Sequence, residues 1–277
     1  MRLRAPAEEL VCGIHAETKT RDGSYVMSGH HCHSAFELFY VESGDCRFLI
    51  DDRLRDLHAG DFIVIPPRTL HYTRYLFGIC RRTVVLFDQS DLPEEVYRFL
   101  PQEKGFFALT RIFETPEEHR EAINACLEAL VAEEQTADER TPVLLRLHLS
   151  ALFLLCSRHC RFVSEAPADI RTTDPQLLLA ARFISEHFME PISAADIAMA
   201  AGFSPNYLSR RFRQATGIGL HEYLVFVRLS HAAVELVSTT DSITQIAFRC
   251  GFSDSNYFKD AFKKKYGITP REYRKAQ

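Results

Sequence analysis

AGFSPNYLSRRFRQATGI (residues 201–218) returns later in the chain as CGFSDSNYFKDAFKKKYGI (residues 250–268). Gly202, Phe203 and Ser204 match Gly251, Phe252 and Ser253. After one inserted residue, Tyr207, Phe212, Gly217 and Tyr223 match Tyr257, Phe262, Gly267 and Tyr273, fifty positions on. A helix, a glycine-containing turn and a basic helix, written twice, describe two helix-turn-helix units at about 193–216 and 242–266. Each unit opens on a capping box, Ser193 with Asp196 and Ser242 with Gln245. Each first helix stops at a glycine, Gly202 or Gly251, where positive φ is expected. Ser204-Pro205, with a capping hydroxyl, and Ser253-Asp254 then restart a helix.

In that second helix two faces separate. Leu208 and Phe212, matched by Phe258 and Phe262, point inward at i, i+4 spacing. Asn206, Ser209, Arg210 and Arg213 fall on a different face. Asn256, Lys259, Asp260 and Lys263 hold the same places in the second copy, with Ser255 beside them. Asn suits adenine, Arg suits guanine, and Lys or Arg suits phosphate. One such face alone is ordinary solvated surface; two copies with matched turns and caps point to duplex DNA. Asp260 stands where the first copy has Arg210, and either accepts from cytosine or pairs with a neighbouring Lys. Leu224, Val227, Leu229, Ala232 and Leu236 make residues 220–238 one long helix joining the units. Two successive major-groove visits on one DNA face need reading helices roughly 34 Å apart.

Charge follows the same division. From Asp174 onward there are 13 Lys and Arg against 10 Asp and Glu, a net of +3; the preceding residues hold 20 against 27, a net of −7. Only the C-terminal part carries the sign that a polyanion attracts. The 277 residues fit two domains. No apolar run approaches the roughly 20 residues of a membrane helix, and the N-terminus lacks a signal-peptide core. Eight Cys without zinc or Cys-x-x-Cys spacing read as reduced thiols of a cytoplasmic protein.

The N-terminal part reads as strands at 36–41, 46–50, 61–65 and 83–87, separated by turns at 43–45, 51–52, 59–60 and 66–67. Many short strands with close turns describe a small barrel or jelly roll. From Pro93 the pattern turns helical, with apolar stripes over 116–134 and 142–161 that pack on the barrel or on a second subunit. Residues 164–175 read as a linker. The expected fold class is therefore α+β multidomain: a barrel domain over 1–163, the linker, and an all-α DNA-binding domain over 176–277.

The tandem arrangement, closing on GFSDSNYFKDAFKKKYGITPREYR, resembles the AraC/XylS family of bacterial transcription regulators over roughly residues 174–274. The resemblance implies a chain that reads two major grooves, dimerises through its other domain and regulates transcription, with RNA polymerase as a further partner. His31-x-His33-x3-Glu37-x6-Gly44, then Gly60-x5-Pro66-x-Arg68-x2-His71, resembles the two motifs of cupin barrels, with Arg68 and Tyr75 departing from the second.

Residues 31, 33 and 37 share strand parity, so their side chains converge inside a barrel from one strand, and Cys32 faces away. His31, His33, Glu37 and His71, with Tyr40 and Tyr72, are the candidate ligand-binding residues, and a carbohydrate is the expected effector. The alternative for the same four is a divalent metal. Phe36, Phe39 and Tyr75 line the site or fill the core. The function that results is a ligand-responsive regulator, not an enzyme. A metal-dependent cupin enzyme or metal sensor is the competing reading, and it leaves the tandem repeat without a purpose.

Overall fold

A computed structural model describes residues 13–25, 31–50, 53–76, 78–101, 106–163 and 175–275. Among the described residues, nine strands form two antiparallel sheets. The larger has the order β1 (His15–Asp22), β7 (Ile79–Phe87), β2 (Phe36–Ser43), β5 (Asp61–Ile65), β8 (Arg111–Glu114) and β9 (Arg161–Val163). The smaller has the order β4 (Arg53–Leu57), β3 (Cys46–Ile50) and β6 (His71–Tyr75). Side chains alternate across each strand, and both faces of β2 are buried. Glu37, Phe39 and Val41 face the interior between the sheets, where Phe39 and Val41 join Phe48, Ile63, Tyr75 and Leu86 in one core. Phe36, Leu38 and Tyr40 face outward into a second core beneath two helices.

Those helices are α2 (Arg120–Gln135) and α3 (Thr141–His159), preceded by the short α1 (Glu94–Tyr97). Ile123, Leu127 and Leu130 of α2, and Leu145, Leu149, Leu152 and Phe153 of α3, close over the outer face of the large sheet. The onset of helix at Pro93 is corrected by the structure: after α1 the chain returns to the sheet as β8, paired to β5. An absence of membrane-length apolar runs was expected, yet α3 has 19 residues and a mean hydropathy of 1.2, enough by length and composition to cross a bilayer. Its inner face packs on the barrel, as a core helix does.

Everything from α4 (Pro175–His187) onward is helical. The first unit is α5 (Ala194–Ala200) and α6 (Pro205–Thr216), and the second is α8 (Ile243–Arg249) and α9 (Ser255–Tyr266). Between them runs α7 (Leu220–Ser238), and α10 (Pro270–Lys275) follows. The linker expected over 164–175 lies, except for Pro175, outside the described residues. The two halves nonetheless share a core. Leu49, Leu54, Leu70 and Tyr72, on the outer face of the small sheet, cluster with Leu177, Ala180, Ile184 and Ile218 of the helical half.

Candidate DNA-reading helices and effector cluster

Both expected capping boxes form. The Ser193 hydroxyl accepts from the Asp196 amide and the Asp196 carboxylate from the Ser193 amide, and Ser242 and Gln245 repeat the exchange. Gly202 and Gly251 adopt φ of +74° and +83°. In each turn the following Phe donates its amide six residues' span back, Phe203 to the Ala198 carbonyl and Phe252 to that of Ala247, at 2.8 and 3.0 Å. This is the Schellman closure of a helix end. Ser204 caps α6 by position, with no side-chain hydrogen bond, whereas the cap of α9 is Asp254, which accepts from the Asn256 amide. The first expectation of a capping hydroxyl is therefore corrected.

Leu208, Phe212, Phe258 and Phe262 are fully buried. Asn206, Arg210 and Arg213 on α6 are exposed, as are Asn256, Lys259, Asp260 and Lys263 on α9, while Ser209 and Ser255 are half-buried. Asp260 makes no ion pair with a Lys among the described residues. Gln214 and Lys264, one residue beyond Arg213 and Lys263, are exposed on the same face and extend it in both copies; the helical period that selected the others also selects them. Helix α7, about 28 Å long at 1.5 Å per residue, holds both units. Tyr223 packs on Phe212, the Arg228 guanidinium donates to the Phe188 and Glu190 carbonyls at 2.7 Å each, and Arg274 Nε donates to the Leu236 carbonyl.

His31, His33, Glu37 and His71 do converge in the barrel, though not from one strand. His31 forms an isolated antiparallel bridge to His71, His33 lies in irregular chain before β2, and only Glu37 belongs to that strand. The Arg68 amide holds the His33 carbonyl at 2.6 Å. Glu37 Oε2 stands 3.1 Å from Nε2 of both His33 and His71. His71 Nδ1 lies 3.0 Å from the Thr69 carbonyl, to which it donates, so Nε2 is the atom turned toward Glu37. The His31 and His71 rings are 4.2 Å apart and those of His31 and His33 4.9 Å.

Burial, reinforced by the neighbouring His71, pushes the His31 pKa down to about 2, so this ring is neutral. Burial opposes the Glu37 charge, but His71 and the hydrogen bonds of His33 and His71 outweigh it and hold the carboxyl well below its usual range. The donor atoms of all four residues lie within 4.8 Å of one another. Three imidazoles and an ionised carboxylate at that spacing fit a divalent transition ion, whose bonds of about 2.0–2.2 Å would draw them slightly inward.

Tyr40 and Tyr72 do not join this cluster. Each follows strand parity opposite to Glu37 or His71: Tyr40 points under the helices and Tyr72 into the core shared with the helical half. Phe36 likewise points under the helices, whereas Phe39 and Tyr75 share the barrel interior. Cys32 faces the shared core as expected, and burial pushes its thiol up to about 11. Arg82 is a cluster neighbour that the motif reading missed. It is nearly buried, pairs with Glu17 at 3.0 Å, and its charge reaches His31. Its signal was its parity with Val84 and Leu86 on β7.

Two family profiles match the chain: one described as an AraC-like ligand binding domain at residues 19–153, and one as a helix-turn-helix domain at residues 197–276. The HTH-type transcriptional activator RhaS of Klebsiella pneumoniae is 27% identical over 252 residues, covering 89% of this chain and 87% of the relative. RhaR of Yersinia pestis, also an HTH-type transcriptional activator, is 26% identical over 250 residues, covering 88% and 83%. An AraC-type regulator structure from Chromobacterium violaceum is 37% identical over 36% of this chain and 90% of that one, with a TM-score of 0.36. The chain belongs to the AraC/XylS family of transcription regulators, with a cupin-like N-terminal domain and a C-terminal DNA-binding domain of two helix-turn-helix units.

Proposed function

We propose that this protein is a cytoplasmic activator that reads a specific duplex through α6 and α9, and whose barrel receives a small polar metabolite, a carbohydrate. The observation that carries the DNA reading is the pair of exposed polar faces, equivalent residue for residue, held by one rigid connecting helix. The effector reading rests on a buried carboxylate and three imidazoles beside Phe39, Phe48 and Tyr75, polar partners next to flat apolar walls of the kind a sugar ring needs. A homodimer through α3 doubles the DNA contact, and RNA polymerase is the onward partner. The 4.8 Å convergence favours a second reading of the same cluster, a bound divalent transition metal.

Full-length protein and a duplex selected from a random library test the first claim: affinity should fall steeply with salt, because phosphate contacts release counterions. Specific binding with no salt dependence, or none at all, ends it. His33→Ala and Glu37→Ala should abolish the transcriptional response to sugars that stabilise the wild-type protein in thermal-shift screening. An intact response in both variants removes the effector role. Elemental analysis of untagged protein separates sugar from metal, since stoichiometric zinc, nickel, iron or manganese sinks the metal-free version.

A further inference from the structure

Adjacent residues on a strand face opposite ways, and on β6 that places two different tasks back to back. His71 points into the barrel, 3.1 Å from Glu37. Tyr72, the next residue, points out through the small sheet and is 2% exposed, buried in the core shared with the C-terminal helices. Its hydroxyl meets Gly217, the left-handed residue (φ +82°) that ends α6. A Cβ on Gly217 would collide with that hydroxyl and lie 3.0 Å from the ring carbon bearing it. Gly217 thus has two separate requirements, a backbone one and a steric one. Gly267, its counterpart at the end of α9, has the same φ (+78°) and is exposed. The end of the first recognition helix is therefore seated on the barrel. The end of the second is reached from the barrel by a different residue: Lys265 at the end of α9 pairs with Glu222 of α7 at 3.3 Å, Tyr266 packs on Tyr273, and the Arg68 guanidinium lies 5.8 Å from the Tyr273 ring.

We propose that Tyr72 is a positioning residue for DNA recognition: through Gly217 it sets the placement of α6, and not of α9, from inside the sensory domain. A change at the His71–Glu37 cluster then reaches the first reading helix through one peptide unit of β6. This last consequence rests on the effector reading given above, whereas the positioning role does not.

Quantitative binding and hydroxyl-radical footprinting of the full-length protein on its selected duplex test the idea. Tyr72→Ala should weaken protection of the half-site read by α6 about tenfold, within the coupling range of touching residues, and leave the α9 half-site protected. Tyr72→Phe, which keeps the ring, should stay near wild type. Gly217→Ala should cost more than Gly267→Ala, because both add backbone strain but only the first meets Tyr72. Adding Tyr72→Ala to Gly217→Ala should bring its cost down to that of Gly267→Ala. A purely structural role would instead lower both half-sites together, in step with melting temperature. Equal loss at both half-sites, or strictly additive Tyr72 and Gly217 effects, overturns the proposal. Should Tyr72→Ala fail to fold, equal costs for Gly217→Ala and Gly267→Ala overturn it alone. A wild-type protein that binds no duplex would instead be a failure of the DNA reading itself.

Discussion

Arg210 and Lys263 occupy matched exposed faces of α6 and α9, yet they should fail differently when removed. A guanidinium can make two parallel bonds to guanine, while an ammonium acts as a point charge on phosphate. Arg210→Ala should cost about 1–3 kcal/mol on the selected duplex and relax the preference at one base pair. Lys263→Ala should weaken all sequences alike and lower the salt slope by about one. Competition binding over a series of salt concentrations checks both, and equal effects of the two would undo the assignment of base and phosphate roles. At this scale the exposed polar faces of α6 and α9 were legible because a repeat reports the same face twice. The barrel cluster was legible in its four converging residues and not in its surroundings. Tyr40 and Tyr72 have the aromatic character of a sugar-facing wall, although the parity that brings Glu37 inward sends each of them out. Arg82 was overlooked for the converse reason: no motif contains it, and only the pairing of β7 with β2 brings it in.

Elements were readable wherever a segment carries its own boundaries. The strands at 36–41, 46–50 and 61–65 and the long helix α7 have turns or glycines at their ends and mostly apolar residues. β1, β4, β6, β8 and β9 were not readable, since each is short or half polar and owes its conformation to the strand it pairs with. β1 shows how such a strand is held. Glu134 of α2 accepts from His15 Nδ1 and from the Ala16 amide, both at 2.6 Å, and clips the start of β1 to the helix layer. The hydrogen bond with Glu134 raises the His15 pKa above its ordinary 6.5, and partial burial only opposes it. A pKa raised by folding means that the protonated ring favours the folded state. The contribution is complete below about pH 6.5 and disappears as pH rises through the folded pKa. Solvent reaches the pair, so it is worth about 1 kcal/mol. Thermal melts of wild type and Glu134→Gln should differ most near pH 5.5 and converge above pH about 8. A difference that grows with pH would contradict the assignment.

Taken whole, the molecule carries on α3 an apolar stripe that no described residue covers. Helix α3 buries Leu145, Leu149, Leu152 and Cys156 on one side, and on the opposite side Val143, Leu147 and Leu154 are 58%, 59% and 38% exposed. At 100° per residue these three fall within about 40° of one another, a stripe facing directly away from the barrel. A helix apolar on both sides belongs in a membrane or between two packed bodies. The inner face is already committed to the barrel's own core, and Arg146 and Arg158 flank the outer stripe. A second copy laid antiparallel or parallel along α3 would cover it, and would place two pairs of reading helices on one duplex. Each Leu147, 59% exposed before association, contributes about 1–2 kcal/mol when covered. Leu147→Glu should therefore weaken the dimer by about 30- to 1,000-fold, and by more if the introduced carboxylates face each other. Sedimentation of the full-length protein at micromolar concentration should show a dimer for wild type and a monomer for Leu147→Glu, with circular dichroism unchanged. The single half-operator affinity of the variant should match wild type, because α6 and α9 are untouched; only the gain from a second half-site should vanish. A wild-type chain that sediments as a monomer throughout would leave the α3 stripe without this partner and the two-half-site arrangement without its support.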